Sequence, residues 1–288
     1  VKPATLVVGG WYDTEDLYGP LATYQTMSKG NKKDNVHIIM GPWYHGQWNR
    51  GNGDKMGEAN LGFDTSEWFQ KRILLPFFKK NLKDEKADAL AKATIFETGA
   101  NRWREFDTWP PRQGKDVTLY MGNNEKLLTQ KVQKGGYSDY ISDPKKPVPH
   151  SAHTSRGWDK PYMAEDQRFT ARRTDVLVFN GDVAEQDMTI AGAIDLNLWV
   201  STSQSAADFV VKLVDVFPGV DETNNKVDKA TGNRHELVRW GIIRGRFRND
   251  MSKPEPFEPN KPTLVKFELL DVLHTIKRGH KLQIQVQS

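Results

Sequence analysis

From Thr5 to Val8 a β-branched apolar run ends at Gly9-Gly10, the pattern of a short buried strand of the parallel kind. A polar loop follows, and then Leu17, Leu21, Tyr24 and Met27 recur at steps of three and four, which predicts an amphipathic helix stopped at Gly30. A second strand is expected from Val36 to Met40, broken by Gly41-Pro42. Strand, helix and strand with short connections make a βαβ unit, so the two strands should lie parallel in one sheet with a right-handed crossover. Beyond a glycine-rich loop from Gly46 to Gly62, Asp64 and Glu67 stand at capping-box spacing. Trp68, Phe69, Ile73, Leu74, Phe77, Phe78 and Leu82 then give a long apolar face, predicting a helix packed on a sheet and kinked by Pro76. The charged segment Lys83 to Lys92 reads as a linker between domains.

After the linker the pattern changes to short alternating or β-rich runs: Ala93 to Phe96, Val117 to Met121, Val176 to Phe179, Ala193 to Val200, Phe209 to Phe217, Leu237 to Arg246, Leu264 to Leu270 and Lys281 to Val286. Pro, Gly, Asp and Asn punctuate them with no helical period between, which predicts an all-β sandwich or jelly roll. The fold class is therefore α/β plus all-β, with a boundary expected at residue 92 between segments 1–92 and 93–288. The gap from Gly135 to Thr174 should wrap the sandwich as loops, and Val220 to Asn233 reads as a hairpin excursion.

Composition narrows the function classes. A chain of 288 residues suits one large or two medium domains. The net charge is only +4, and acids lie close to the paired lysines, so a nucleic-acid partner is not expected. Mean hydropathy is −0.68 and the apolar runs are strand-sized, so no membrane span is expected. With no cysteine, disulfides, thiolate metal sites and a cysteine nucleophile are excluded.

Two residues stand where chemistry is done. Asp13 follows the first strand and His45 the second, at the same end of two strands inferred to be parallel neighbours. Open α/β sheets bind ligands at that edge, and α/β-hydrolases keep the acid and the histidine of a Ser-Asp-His triad there. Spacing alone leaves two readings standing. Asp13 either orients a catalytic His45, or caps the following helix beside an ordinary loop histidine.

The local sequences bear on that choice. Gly10-Trp11-Tyr12-Asp13 and Gly41-Pro42-Trp43-Tyr44-His45 resemble the acid and histidine motifs of the CocE/NonD-type serine hydrolases, the family of cocaine esterase, X-Pro dipeptidyl peptidase and α-amino-acid ester hydrolase. Asn101-Arg102-Trp103, Trp109-Pro110, Tyr140-Ile141-Ser142-Asp143-Pro144, Asp166-Gln167-Arg168-Phe169, Lys212 to Pro218, Gly279-His280 and Gln285 to Ser288 look like that family's C-terminal domain. The branch it looks nearest to is that of the α-amino-acid ester hydrolases, which includes proteins labelled glutaryl-7-aminocephalosporanic acid acylase. The resemblance implies the last part of an α/β-hydrolase domain followed by a jelly roll that is truncated at Ser288. It further implies ester or amide hydrolysis through an acyl-enzyme, with Asp13 as acid and His45 as base.

No serine here lies in a G-x-S-x-G elbow, so no nucleophile is assigned. By the resemblance it belongs to preceding polypeptide, which would also cover the free edge of the first strand. Trp11, Tyr12, Trp43 and Tyr44 are candidates to line the substrate pocket, while Trp43 and Trp48, which flank His45, either wall an acyl group or are sandwiched as core between the domains. The partners expected are a small ester or amide substrate and the preceding hydrolase polypeptide, with a homo-oligomer in keeping with the ester-hydrolase branch. Periplasmic or secreted location is favoured over cytoplasmic. A non-catalytic jelly-roll binding module and an X-Pro dipeptidyl-peptidase-type enzyme are the alternatives. No cofactor and no metal is expected. His37, His150, His153, His235, His274 and His280 have no helical i+4 acid or histidine partner, and Asp221, Asn224, Asn225 and Asp228 read as a solvated turn instead of a calcium loop.

Overall fold

The structure, a computed structural model, describes residues 2–31, 33, 35–157, 159–219 and 232–288. The expected βαβ unit is present as β1 (Thr5–Gly10), α1 (Tyr18–Ser28) and β2 (Val36–Gly41). The two strands pair in parallel, from Thr5 opposite Val36 to Gly10 opposite Gly41. One helical turn, α2 (Gln47–Arg50), and a two-residue ladder of β3 (Lys55–Met56) with β4 (Ala59–Asn60) occupy the glycine-rich loop. Asp64 caps the helix that follows, its carboxylate accepting the Glu67 backbone N–H at 2.7 Å, while the Glu67 carboxylate pairs with Lys71.

The following helix differs from expectation in two ways. It runs as α3 (Thr65–Phe69), a π turn (Gln70–Leu74) and α4 (Leu75–Lys83). The disturbance attributed to Pro76 thus takes the form of a π turn just ahead of it, where the missing proline N–H would otherwise leave a carbonyl unpaired. Only the first half packs on the sheet, through Phe69 and Ile73. No residue of α4 is buried, and Leu75, Phe78 and Leu82 of its apolar stripe are exposed.

The first sheet runs past residue 92. β5 (Ala93–Glu97) joins the first sheet, parallel to β2 with Ile38 opposite Ala93, and β6 (Arg102–Phe106) adds antiparallel to β5. The sheet order is β1-β2-β5-β6, so this sheet continues through Phe106. All five residues of β5 are buried, as befits a strand covered on both faces.

The sandwich comprises β9 (Leu177–Val183), β10 (Met188–Val200), β11 (Asp208–Val216), β12 (His235–Arg244), β13 (Thr263–Ile276) and β14 (Lys281–Gln287). A small ladder of β7 (Tyr120–Met121) with β8 (Leu127–Leu128) precedes it, and Val117, expected in a strand, is exposed. One antiparallel sheet has the order β12-β11-β14-β9, and β10 pairs β13 as a long ribbon facing it. Val211, Leu213, Leu198, Val265, Leu269 and Ile284 form part of the core between them. The expected hairpin at Val220 to Asn233 and the four residues Asp221, Asn224, Asn225 and Asp228 lie outside the described residues, apart from the end of that stretch. Among the described residues, no helix is long and apolar enough to cross a membrane.

The two parts are fastened through backbone. Thr98, just after β5, bridges to β13: its N–H donates to the Leu273 carbonyl at 3.0 Å and its carbonyl accepts from the Thr275 N–H at 2.9 Å. Glu97, fully buried, accepts from Arg102 at 3.0 Å, Arg104 at 3.3 Å and the Thr275 hydroxyl at 2.5 Å. Burial pushes its carboxyl up, but these donors outweigh that and hold it below the usual glutamate value.

Within the sandwich, residues from motifs far apart in sequence meet. Lys212 is fully buried, and its Nζ donates to the Gln167 side-chain oxygen at 2.7 Å. The Thr170 hydroxyl donates to Gln285, and the Gln285 amide donates to Gln283, each at 2.8 Å. Burial pushes the Lys212 ammonium down to about 8, opposed by the Glu165 carboxylate nearby. An unfolded lysine titrates near 10.4, so between those values the unfolded chain holds a proton that the folded chain has lost, and stability rises with pH. We predict that the full-length gene product gains thermal stability from pH 8 to 10 relative to Lys212→Met, by up to about 3 kcal/mol. Parallel pH profiles of the two unfolding midpoints would rule out a charge-penalised lysine here.

Candidate active site

The loops that follow β1 and β2 are drawn together by backbone. The Trp11 N–H donates to the Gly41 carbonyl at 2.8 Å, and the Tyr12 N–H to the Trp43 carbonyl at 3.0 Å. This approach has no room for side chains at the strand ends. A Cβ on Gly10 would lie 2.2 Å from the Trp43 carbonyl oxygen, and one on Gly41 would lie 2.4 Å from the Trp43 ring.

The approach brings Asp13 to His45. The His45 Nδ1–H donates to Asp13 Oδ2 at 2.9 Å. The other carboxylate oxygen, Oδ1, accepts from the backbone N–H groups of Glu15 at 2.8 Å and Asp16 at 2.9 Å. Both oxygens of Asp13 are thus engaged, although neither caps α1, whose N-cap is Leu17 with no side-chain hydrogen bond. Oδ1 closes the turn that leads into α1, and Oδ2 orients the imidazole. Asp13 is 3% exposed, whereas the His45 side chain is 37% exposed and presents its Nε2 edge outward, 3.9 Å from the Glu15 carboxylate. A buried carboxylate behind a half-exposed imidazole keeps the proton on Nδ1 and leaves Nε2 as the basic atom.

The aromatic residues expected to line a pocket are placed differently. Trp43 is fully buried, its Nε1–H donates to the Thr65 hydroxyl at 2.9 Å, and its ring packs among Trp48, Phe69 and Trp103. Trp11 and Tyr12 are buried too, Trp11 donating from Nε1 to the Phe96 carbonyl at 2.8 Å. Burial pushes the Tyr12 phenol up. These three are core residues beneath the site; their indoles and ring seek apolar surroundings, and their polar atoms find partners within the chain. Tyr44 keeps partial exposure, with the Lys160 ammonium 4.8 Å above its ring, and Trp48 meets the His45 ring edge-on at 6.5 Å.

A residue the sequence did not single out completes the acid's support. Arg239 on β12 is 2% exposed, and its Nη1–H donates to the Trp11 carbonyl at 3.0 Å. Its guanidinium also sits 5.6 Å over the Trp11 ring, and burial brings it down to about 10. Asp271, its neighbouring carboxylate, accepts from Trp109 Nε1–H at 2.6 Å. Trp109 belongs to one of the motifs, so it was a visible marker; Arg239 carried no local signal, because its partner is 228 residues away.

Three of the remaining histidines meet carboxylates. His274 and His280 donate to the two oxygens of buried Asp215 at 3.2 and 2.9 Å. Burial raises that carboxyl, yet the two imidazoles together hold it below the usual value. His153, in contrast, comes together with Asp159 and Glu165, with ligand atoms all within 4.8 Å of one another. The absence of metal spacing along the sequence did not anticipate this cluster.

Known proteins match along nearly the whole chain. The family model for the X-Pro dipeptidyl-peptidase C-terminal non-catalytic domain matches residues 85–288, after Asp13 and His45. A cocaine esterase of Rhodococcus sp. (strain MB1 Bresler) is 27% identical over 98% of this chain and 48% of its own length. Among solved structures, an aminopeptidase from the marine sediment archaeon Thaumarchaeota archaeon has a TM-score of 0.92 at 34% identity, covering 98% of this chain and 47% of that one. An α-amino acid ester hydrolase has a TM-score of 0.89 at 35% identity, covering 99% of this chain and 48% of that one. The chain thus spans about half the length of these relatives.

The loop contact yields a stability prediction. Gly10→Ala forces a Cβ against the Trp43 carbonyl and should lower the stability of the full-length gene product by about 1–3 kcal/mol. An unchanged thermal midpoint would show that the two loops do not need this approach.

Proposed function

Because the chain belongs to the family of the X-Pro dipeptidyl-peptidase C-terminal domain, we propose that it is the C-terminal portion of a serine hydrolase. Residues ahead of the matched domain contribute the acid and the histidine of its triad. In this reading β1, β2 and β5 end an α/β-hydrolase sheet and the sandwich is the family's jelly roll. The hydrogen bond from His45 Nδ1 to Asp13 Oδ2, at 2.9 Å and at the carboxyl edge of parallel strands, carries the reading. The nucleophilic serine comes from polypeptide outside these 288 residues, which also pairs with the free edge of β1.

The chemistry follows from the pair. As the serine Oγ attacks the acyl carbon, its proton passes to His45 Nε2, and Asp13 stabilises the resulting imidazolium. The imidazolium then gives that proton to the departing alcohol or amine as its bond to the acyl carbon breaks. A water molecule repeats the sequence on the acyl-enzyme, releasing the acid and restoring the serine. The substrates are esters or amides of α-amino acids. This rests on the two relatives at 34% and 35% identity, named as an aminopeptidase and an α-amino acid ester hydrolase. Arg239 acts as a positioning residue, because its hold on the Trp11 carbonyl fixes the loop that carries Asp13.

Three variants test this in the full-length gene product. His45→Ala should abolish the p-nitrophenol burst from an α-amino-acid p-nitrophenyl ester and lower kcat by roughly 1,000-fold or more; a burst of unchanged size would remove His45 from the mechanism. Arg239→Met should lower kcat by about 10- to 100-fold with KM little changed, and Arg239→Lys should recover part of it. If Arg239→Met lowered only the unfolding temperature, the residue would be structural and not positioning.

A further inference from the structure

The segment between the two sheets holds a cluster that the hydrolytic reading does not use. His153 lies between two carboxylates, with Nε2 3.1 Å from Asp159 Oδ2 and Nδ1 3.6 Å from Glu165 Oε1. The side chains of Asp159 and Glu165 are only 17% and 11% exposed. Among the described residues, no lysine or arginine forms an ion pair with either. Lys212 is the cation that Glu165 feels at a distance, and its Nζ is hydrogen bonded to Gln167. The Ala152 N–H reaches Glu165 Oε1 at 3.4 Å, a weak contact. Two largely buried carboxylates thus share one imidazole, an arrangement of three metal-ligating groups around one point.

We propose that His153, Asp159 and Glu165 bind a divalent metal ion of the zinc class. One imidazole nitrogen and two carboxylate oxygens form a donor set that suits zinc, and with three protein ligands a fourth position stays open to water. The three ligand atoms lie within 4.8 Å of one another. Bonds of about 2.0–2.1 Å need them roughly 3.4 Å apart, so a closing movement of about 1 Å is required. His153 is 55% exposed and sits in a loop, so its ring can turn to present one nitrogen to the ion.

The placement gives the ion a task. Asp159 and Glu165 flank the 3-10 turn Lys160–Ala164, so an ion held by both staples the two ends of that turn. The turn lies against the candidate active site: Lys160 covers the Tyr44 ring at 4.8 Å, one residue before His45, and Pro161 packs beside Gly57. The His150 Nε2–H also donates to the Tyr162 carbonyl at 2.9 Å, within the same turn. The ion is therefore a structural brace and not a participant in hydrolysis.

The test is a calorimetric titration of EDTA-stripped full-length gene product with zinc chloride, followed by thermal unfolding with and without the metal. Wild-type protein should take up one zinc ion per chain at this site, and its unfolding midpoint should rise as zinc is added. Glu165→Gln, nearly isosteric, and His153→Ala should each weaken that binding by at least about 100-fold and remove the thermal response. The wild-type titration needs no variant to fold. No zinc uptake by wild type, or equal uptake and equal thermal response in both variants, overturns the site and leaves His153 as an ordinary partner of two acids. Either result is independent of the burst assay on His45, so the site and the proposed triad stand or fall separately.

Discussion

Two loops can close over the edge of the first sheet only because Gly10 and Gly41 carry no side chain. With β1 and β2 in parallel register, the chain leaves both strands at the same level, and the Trp43 backbone and ring fill the space that two Cβ atoms would occupy. Two backbone hydrogen bonds then tie the loops together. Asp13 and His45 arrive within hydrogen-bond distance as a consequence, although 32 residues separate them in the chain. The carboxylate is committed on both sides: one oxygen satisfies two turn amides, the other the imidazole. Rotating it toward a different partner would break its bonds to the Glu15 and Asp16 amides and to the imidazole together.

The sandwich is more than a neighbour of this arrangement. Thr98 bridges the first sheet to β13 through backbone, Arg239 holds the Trp11 carbonyl from β12, and Trp109 anchors to Asp271. These ties join groups that only this relative position of the two parts brings together. Arg239 thus holds the loop between Gly10 and Asp13 from within the domain whose family model is called non-catalytic.

Much of this was legible in the sequence, and what was not has identifiable causes. The βαβ unit, the Asp64 cap and the run of sandwich strands follow from local periodicity and turn chemistry, which the fold did not override. That the first sheet takes in Ala93 to Phe96 was not legible, because this run reads the same whichever sheet it joins; periodicity reports a strand and never its pairing partner. Trp11, Tyr12 and Trp43 sit beside catalytic candidates in sequence, and their size suggested pocket walls. Their exposures of 2%, 4% and 0% show that neighbours of a site residue can point into the core beneath it. Arg239 and the His153 cluster escaped notice for the same physical reason. Each is assembled by tertiary contact, the first across most of the chain and the second in an irregular loop where no regular spacing brings ligands to one face.

The central claim is that His45, held by Asp13, faces a serine supplied by the rest of the hydrolase. The most direct measurement is a crystal structure of the full-length gene product inactivated by an aryl phosphonate that labels reactive serines. The account predicts the phosphonylated serine Oγ within hydrogen-bond reach of His45 Nε2, about 2.6–3.2 Å, with the Asp13–His45 hydrogen bond intact. A labelled serine remote from His45, oriented by another histidine, would contradict it.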